Sequence, residues 1–593
     1  MSDKPHYVLG VNEALCASAA ILKDGKIIAA AAEERFTRIK NHWGFPSNAI
    51  KFCCEYAGIA TKDIDLFVLS YIDPYPHFVT HQARELPDMA PQFLRKLRDL
   101  APFIEYRLPT INALTTAGRG LYYKFYQPRN IERQNRDIAK SLLIAPEKIL
   151  RINHHLCHAY ATYYGNSYFK STPTLVVTCD GAGDNVSATI YVVEGGKFKL
   201  FSTTSHTHSL GLFYAAITSH LGLKAHEDEY KVMGLAAYGE HGNWQEVYQI
   251  FEKLLWVENL KFNSIIPSRQ FNFYLELHLS RVRFDYIAAA AQTFLENRLV
   301  EWIDNAVAQT QIKNVAFGGG IFLNVKANLE ILKRTKISQA YFLPSPGDDT
   351  NSLGAAYFGY QKLCQTHQIR SRSQPLTTLY LGPHFSEADI LQTLQKYKNK
   401  QLYIQKPKDI TKAVAQLLAK GEIVARFCGR MEFGVRALGN RSILADPRRG
   451  ELIERINQLI KLRDFWMPFA PTILAQDAHL YLKNPKKVPS PHMILAFETT
   501  KRAKADLIAA LHPFDKTVRP QVLKRLANPS YYDLIAEFKS ITNVGALLNT
   551  SFNLHGEPIV CTPHDALVTF MKSGLTRLQL EHYLISKKNK TYL

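Results

Sequence analysis

Short apolar runs alternate with segments of helical period along this chain, and that alternation restricts it to an α/β architecture. Residues 19–22 and 27–32 flank Asp24-Gly25, a dipeptide suited to the tight turn of a hairpin, and residues 8–11 precede them. A sheet therefore starts near the N-terminus. Strands are predicted again at 66–69, 174–178, 188–193 and 315–317. The clearest helix is predicted over 286–308 behind Asp285 as N-cap, because Ile287, Phe294, Leu295, Leu299, Trp302, Ile303 and Ala306 recur at three- and four-residue spacing.

At 593 residues the chain exceeds one core. The polar, aperiodic stretch 365–375 reads as a linker, which predicts one domain over 1–367 and another over 376–593. Within the first, prolines, basic residues and aromatics mix over about 75–148, and we read this as an inserted helical cap. No stretch approaches the roughly 18 apolar residues of a membrane span, and no charged-then-apolar leader precedes the first strand, so a cytoplasmic protein is expected. The eight cysteines are scattered without a CxxC pair, which argues against disulfides and a zinc ribbon. A formal charge of +20 favours anionic partners.

The chemistry-bearing segments follow from residue type. Residues 429–442 place Arg430, Arg436 and Arg441 among glycines. Glycines expose backbone N–H groups and guanidinium planes grip phosphate or carboxylate through paired hydrogen bonds, so this loop is suited to an anion. Asn549-Thr550-Ser551-Phe552-Asn553 adds a donor-rich turn after an apolar run. His154 and His158 are four apart and share a face if helical, and Asp180 ends a buried-type strand, where open α/β sheets bind ligands. With Asp348 or Asp349 they form a mixed N/O set suited to iron, manganese or zinc; the alternative is that the aspartates cap turns. Gly318-Gly319-Gly320 follows a strand and precedes Asn324, where either a nucleotide or a tight strand-to-helix turn would need glycine.

Together these segments resemble the NodU/CmcH O-carbamoyltransferase family. The likeness extends over most of the chain through Glu33-Glu34-Arg35-Phe36-Thr37-Arg38, His154 to His158, Asp180 to Asp184, Lys231-Val232-Met233-Gly234-Leu235, the arginine loop and Asn549 to Asn553. It implies an N-terminal domain of the actin-like ATPase superfold, similar to threonylcarbamoyl-transferases, and a YrdC-like C-terminal domain. It further implies that carbamoyl phosphate and ATP, the latter with Mg2+, yield carbamoyl-adenylate in the C-terminal domain. The carbamoyl group would then pass to a hydroxylated small-molecule acceptor in specialised-metabolite or glycan biosynthesis. Catalytic roles carry over to Arg430, Arg436, Lys461, Arg463, Arg519 and Ser551, and nucleotide contacts to Gly318, Gly319, Gly320, Asn324, Asn549 and Gln521. The metal ligands would be His154, His158, Asp180 and Asp348, with Asp349 the competitor for the last place and Fe2+ favoured over Mn2+ or Zn2+. Nucleic acid is not expected as a partner, with tRNA modification the alternative function and a degenerate binding protein a third; a homodimer is left open. Two positions depart from the family pattern. Lys516 stands where the Asp515-to-Gln521 run has glycine, and Leu15-Cys16 stands where the first hairpin has a histidine followed by Asp or Asn. Which residue takes the place of that histidine is left open, with His155 and the inserted cap as the two places considered.

Overall fold

The computed structural model describes residues 5–72, 127–169, 172–397 and 402–587. Most of the expected cap, up to residue 126, lies outside the described residues; of the remainder, Gln127–Leu142 is helical. The chain divides into two compact units, one of residues up to 33 with 42–377 and one of residues 34–41 with 378–593.

The first unit holds two five-stranded sheets. One is built from β1 (Tyr7–Asn12), β2 (Ser18–Lys23), β3 (Lys26–Ala32), β4 (Leu66–Leu69) and β5 (Ile149–Arg151), in the order β3-β2-β1-β4-β5. The next strands are β6 (Thr174–Gly183), β7 (Val186–Glu194) and β8 (Lys197–Ser205), then a separate pair, β9 (Leu255–Glu258) and β10 (Lys261–Ser264). With β11 (Asn314–Gly318) and β12 (Gln339–Phe342), β6 to β8 form the second sheet in the order β12-β11-β6-β7-β8. In each sheet three strands make an antiparallel meander and two more add in parallel to its first strand. The repeated order makes this unit a duplicated mixed α/β structure. The Asp24-Gly25 turn forms as expected, with φ of 48° and 86°.

Helices His154–Gly165 and Asn351–Thr366 follow the last strand of each sheet. They cross at Gly354, where a Cβ would stand 1.9 Å from the Cys157 carbonyl oxygen. That approach brings the two helix starts together. The long helix spans Phe284–Thr310 with Arg283 as its N-cap. Asp285 therefore lies inside the helix rather than capping it; its carboxylate is held by the Arg283 guanidinium at 3.0 and 2.8 Å instead of receiving backbone N–H groups from the next turn.

The second unit contains an eight-stranded sheet. Its strands are β13 (Leu402–Gln405), β14 (Val424–Phe427), β15 (Arg441–Ala445), β16 (Ala470–Leu474), β19 (Gln521–Leu523), β20 (Ala546–Ser551), β21 (Arg577–Leu580) and β22 (Tyr583–Lys587), while β17 (Leu482–Lys483) and β18 (Glu498–Thr499) pair separately. The order is β13-β22-β21-β14-β15-β20-β16-β19, with β14, β15 and β20 antiparallel neighbours at its centre. Ile443, Leu548, Leu578 and Ile585 are fully buried in its core.

Candidate functional site

His154 opens its helix and His158 follows one turn later, so the predicted shared face exists. Asp180 is carried by β6 and Asp348 by the turn Asp348–Thr350 before Asn351–Thr366. His158 Nε2 lies 3.0 Å from Asp180 Oδ2, 3.1 Å from His154 Nε2 and 3.5 Å from Asp348 Oδ1. The four donor atoms all fall within 4.8 Å of one another. Asp349 is turned away: its carboxylate accepts the Ser345 hydroxyl at 2.9 Å. Gly183 is needed here because a Cβ would stand 2.2 Å from His154 Cγ.

Electrostatics ties the cluster together. Burial disfavours the His158 imidazolium, but hydrogen bonds and charge from Asp180 and Asp348 outweigh it and lift the pKa to about 9. Burial likewise opposes the Asp180 carboxylate, yet the two histidines hold it well below the usual range. Asp348 is pushed upward by burial and by the Asp180 charge. Two imidazole nitrogens facing each other at 3.1 Å, buried, need a shared proton or a cation. Asn351 bears on which. Its Nδ2 stands 3.2 Å from His154 Nδ1 while its buried Oδ1 has no hydrogen-bond partner among the described residues. With the two ends of that amide exchanged, Oδ1 accepts the His154 Nδ1 proton and leaves Nε2 as a lone pair facing the carboxylates, the outer support a metal-bound histidine requires. The residues fit a divalent cation.

His155 does not join them. Its Nδ1 meets Thr178 Oγ1 at 2.8 Å and its Nε2 meets the Val186 carbonyl at 3.0 Å, so the fully buried ring bridges β6 and β7 and is held neutral by burial. Of the two places considered for a substitute of the missing family histidine, His155 has both ring nitrogens engaged in the sheet. The glycine run is also used mainly in packing. A Cβ at Gly318 would meet Thr162 Oγ1 at 2.2 Å, one at Gly319 the Cys179 carbonyl at 2.3 Å, and one at half-buried Gly320 Asp180 Oδ1 at 2.9 Å. Asn324 caps Val325–Arg334 through the Ala327 N–H and exchanges two hydrogen bonds with Gln292.

A second cluster lies in the other unit. Lys461 ends a π-helical turn, and its Nζ donates to Ser551 Oγ at 3.1 Å and Asn553 Oδ1 at 2.8 Å. Arg463 stands over Phe469 and donates to Thr550 Oγ1 at 3.2 Å. Arg519 precedes β19 and reaches the Met493 carbonyl at 3.4 Å. Burial depresses the Lys461 pKa well below its ordinary value, and Arg463 adds to this. Burial and then the charges of Arg436 and Arg463 do the same to Arg519. Neither Lys461 nor Arg519 has a carboxylate partner among the described residues. Lys461 is buried and Arg519 half-buried, each with only neutral oxygens as partners, and such cations are a site for an anion.

The remaining predicted residues hold the loop in place. Arg430 donates to the Leu381 and Gly382 carbonyls. Asn549 Nδ2 donates to the Ala437 carbonyl and Gln521 Nε2 to that of Leu438, and both amides meet at Thr472 Oγ1. Two residues went unmarked in the sequence. Glu432 accepts the N–H groups of Leu438, Asn440 and Arg441 at 2.8, 2.7 and 3.2 Å, folding the loop around one carboxylate; an acid amid three arginines was the available signal. Tyr71 packs its ring 4.7 Å from that of His154, with its hydroxyl 3.4 Å from Asp348 Oδ2, and no local pattern marks it.

Residues 7–357 match the family described as Carbamoyltransferase N-terminus, and residues 415–587 that described as Carbamoyltransferase C-terminus. The uncharacterized protein MJ1058 of Methanocaldococcus jannaschii is 32% identical, with the match covering 94% of this chain and 95% of that protein. Nodulation protein NolNO of Sinorhizobium fredii is 30% identical over 96% of this chain and 79% of its own length. Among solved structures, component A of the Acidaminococcus fermentans (R)-2-hydroxyglutaryl-CoA dehydratase is similar at 15% identity and a TM-score of 0.32, covering 60% of this chain and 98% of that one.

Proposed function

The chain belongs to the carbamoyltransferase family, and on that premise we propose that its second unit, a YrdC-like domain, activates carbamoyl phosphate with ATP and that its first, actin-like unit delivers the carbamoyl group to an acceptor hydroxyl. The observation that carries this reading is the pair Lys461, buried, and Arg519, half-buried, neither with a carboxylate partner among the described residues. Lys461, Arg463, Arg519 and Arg436 bind the phosphate and stabilise the charge that builds on the departing diphosphate, an effect strongest where water is excluded. The Ser551 hydroxyl, fixed by Lys461, orients the same anion. Asn549 and Gln521 keep the arginine loop in register from beneath.

In the first unit, His154, His158, Asp180 and Asp348 would hold a divalent metal, with iron the leading candidate, and that ion would supply Lewis acidity toward the carbamoyl group or a phosphate. Asn351 and Tyr71 orient its ligands. Gly320, beside Asp180, offers the place where a nucleotide could approach without a side chain intervening. The acceptor is a hydroxylated small molecule of specialised-metabolite or glycan biosynthesis.

The test is incubation of the purified chain with carbamoyl phosphate and ATP, with and without polyhydroxylated small molecules, followed by mass spectrometry. Without acceptor, water cleaves carbamoyl phosphate to orthophosphate and carbamate, and the carbamate oxygen displaces diphosphate from ATP, so orthophosphate, diphosphate and carbamoyl-adenylate are expected; with a suitable acceptor, an O-carbamoylated product and AMP are expected. Diphosphate release no greater than with ATP alone would overturn the activation step.

A further inference from the structure

The eight residues 34–41 belong to the second unit although the chain on both sides belongs to the first. Arg35 is buried and its Nη2 donates to the Gly434 carbonyl at 2.8 Å, while its Nη1 pairs with Glu34 at 2.9 Å. Glu34 in turn accepts the Asn41 N–H at 2.7 Å, which closes the segment on itself. Arg38 donates to the carbonyls of Ile559 and Pro558 at 2.6 and 2.7 Å. Phe36 packs on Met431, Ala437, Ile559 and Cys561.

Gly434 has φ of 98°, a conformation few other residues adopt, and it stands two residues before Arg436. The rest of the loop is fixed by residues of 378–593: Glu432 gathers three N–H groups, Arg426 takes the Gly439 carbonyl, and Tyr380 and Gln521 take that of Leu438. At Gly434 the fixing group is the Arg35 guanidinium, supplied by a stretch of chain roughly four hundred residues away. A charged donor on a carbonyl is a stronger restraint than a neutral one.

We propose that Arg35 is a positioning residue for the arginine loop: by holding the Gly434 carbonyl it sets where the Arg436 guanidinium stands in the anion site. The inference rests on the proposed activation of carbamoyl phosphate for its chemistry, but anion binding reads it independently. In the full-length protein, Arg35→Ala should weaken inorganic diphosphate binding, measured by calorimetry, roughly tenfold and raise KM for carbamoyl phosphate similarly. Arg35→Lys, which keeps one donor, should recover part of both. Asp409→Ala, which removes the N-cap of Ile410–Ala419 and makes no contact with the loop among the hydrogen bonds described, serves as the control for general loss of stability: it should lower the melting temperature while leaving diphosphate affinity unchanged. Diphosphate affinity equal in Arg35→Ala and wild type, or lost equally in Asp409→Ala, would overturn the proposal. Wild-type protein that binds diphosphate but releases none from ATP with carbamoyl phosphate would overturn the activation reading instead, and Arg35 would still be judged by binding. Wild-type protein that binds no diphosphate would remove the anion site and this inference with it.

Discussion

Lys461 is the residue whose protonation most directly reports on an arriving anion. Its folded pKa is depressed, so between that depressed value and the ordinary lysine value of 10.5 the unfolded chain carries a proton that the ligand-free native chain lacks. Native stability from this group therefore rises with pH through that window, and falls as pH drops toward the folded pKa. An anion supplies the missing countercharge and restores the proton. Diphosphate affinity should accordingly weaken as pH rises through the window, by up to about tenfold per unit for one linked proton, with proton uptake visible as a buffer-dependent binding enthalpy. Lys461→Met should bind more weakly and lose most of that buffer dependence; unchanged uptake would assign the proton elsewhere. At this scale the sequence was uneven. The arginines announced themselves by their glycine setting, whereas Glu432 acts through N–H groups six to nine positions on, which composition does not reveal. Lys516, noted as a departure where glycine was expected, has φ of 59°, so the glycine preference at that position is one of backbone geometry.

Among the elements, β6 and the helix His154–Gly165 carry the metal-type cluster, and Gly183 decides how near they come. Gly183→Ala would drive a methyl into the His154 ring. The expected result is a stability loss of about 1–3 kcal/mol together with lower bound metal, measured by thermal unfolding and plasma mass spectrometry. Full metal content in a folded Gly183→Ala protein would show that His154 is dispensable to the site. The helical pairing of His154 and His158 could be read from spacing alone. The bulge between Cys179 and Gly183 could not, since it arises where β7 stops following β6 in register. Asp285 was misread because an acid beside a helix start has two partners available, the backbone or a neighbouring arginine, and Arg283 is the nearer.

For the whole molecule, the proposed chemistry puts activation and transfer on different units, so one should survive loss of the other. His158→Ala is expected to lower bound metal and abolish acceptor carbamoylation while leaving diphosphate release from ATP and carbamoyl phosphate within a few-fold of wild type. Metal content equal to wild type would detach the His/Asp set from metal binding. The repeated strand order of the first unit was only partly legible, because strands can be recognised locally while their order depends on partners far along the chain. The assignment of residues 34–41 was invisible for the same reason: Arg35 and Gly434 are 399 positions apart. That separation has a bearing on how the protein is made. Residues 34–41 leave the ribosome more than three hundred residues before residue 378, on the order of half a minute at ordinary elongation rates. A nascent chain must keep Phe36 and two arginines unsatisfied for that interval, and a gene split between the units at residue 377 would strand them on the wrong polypeptide.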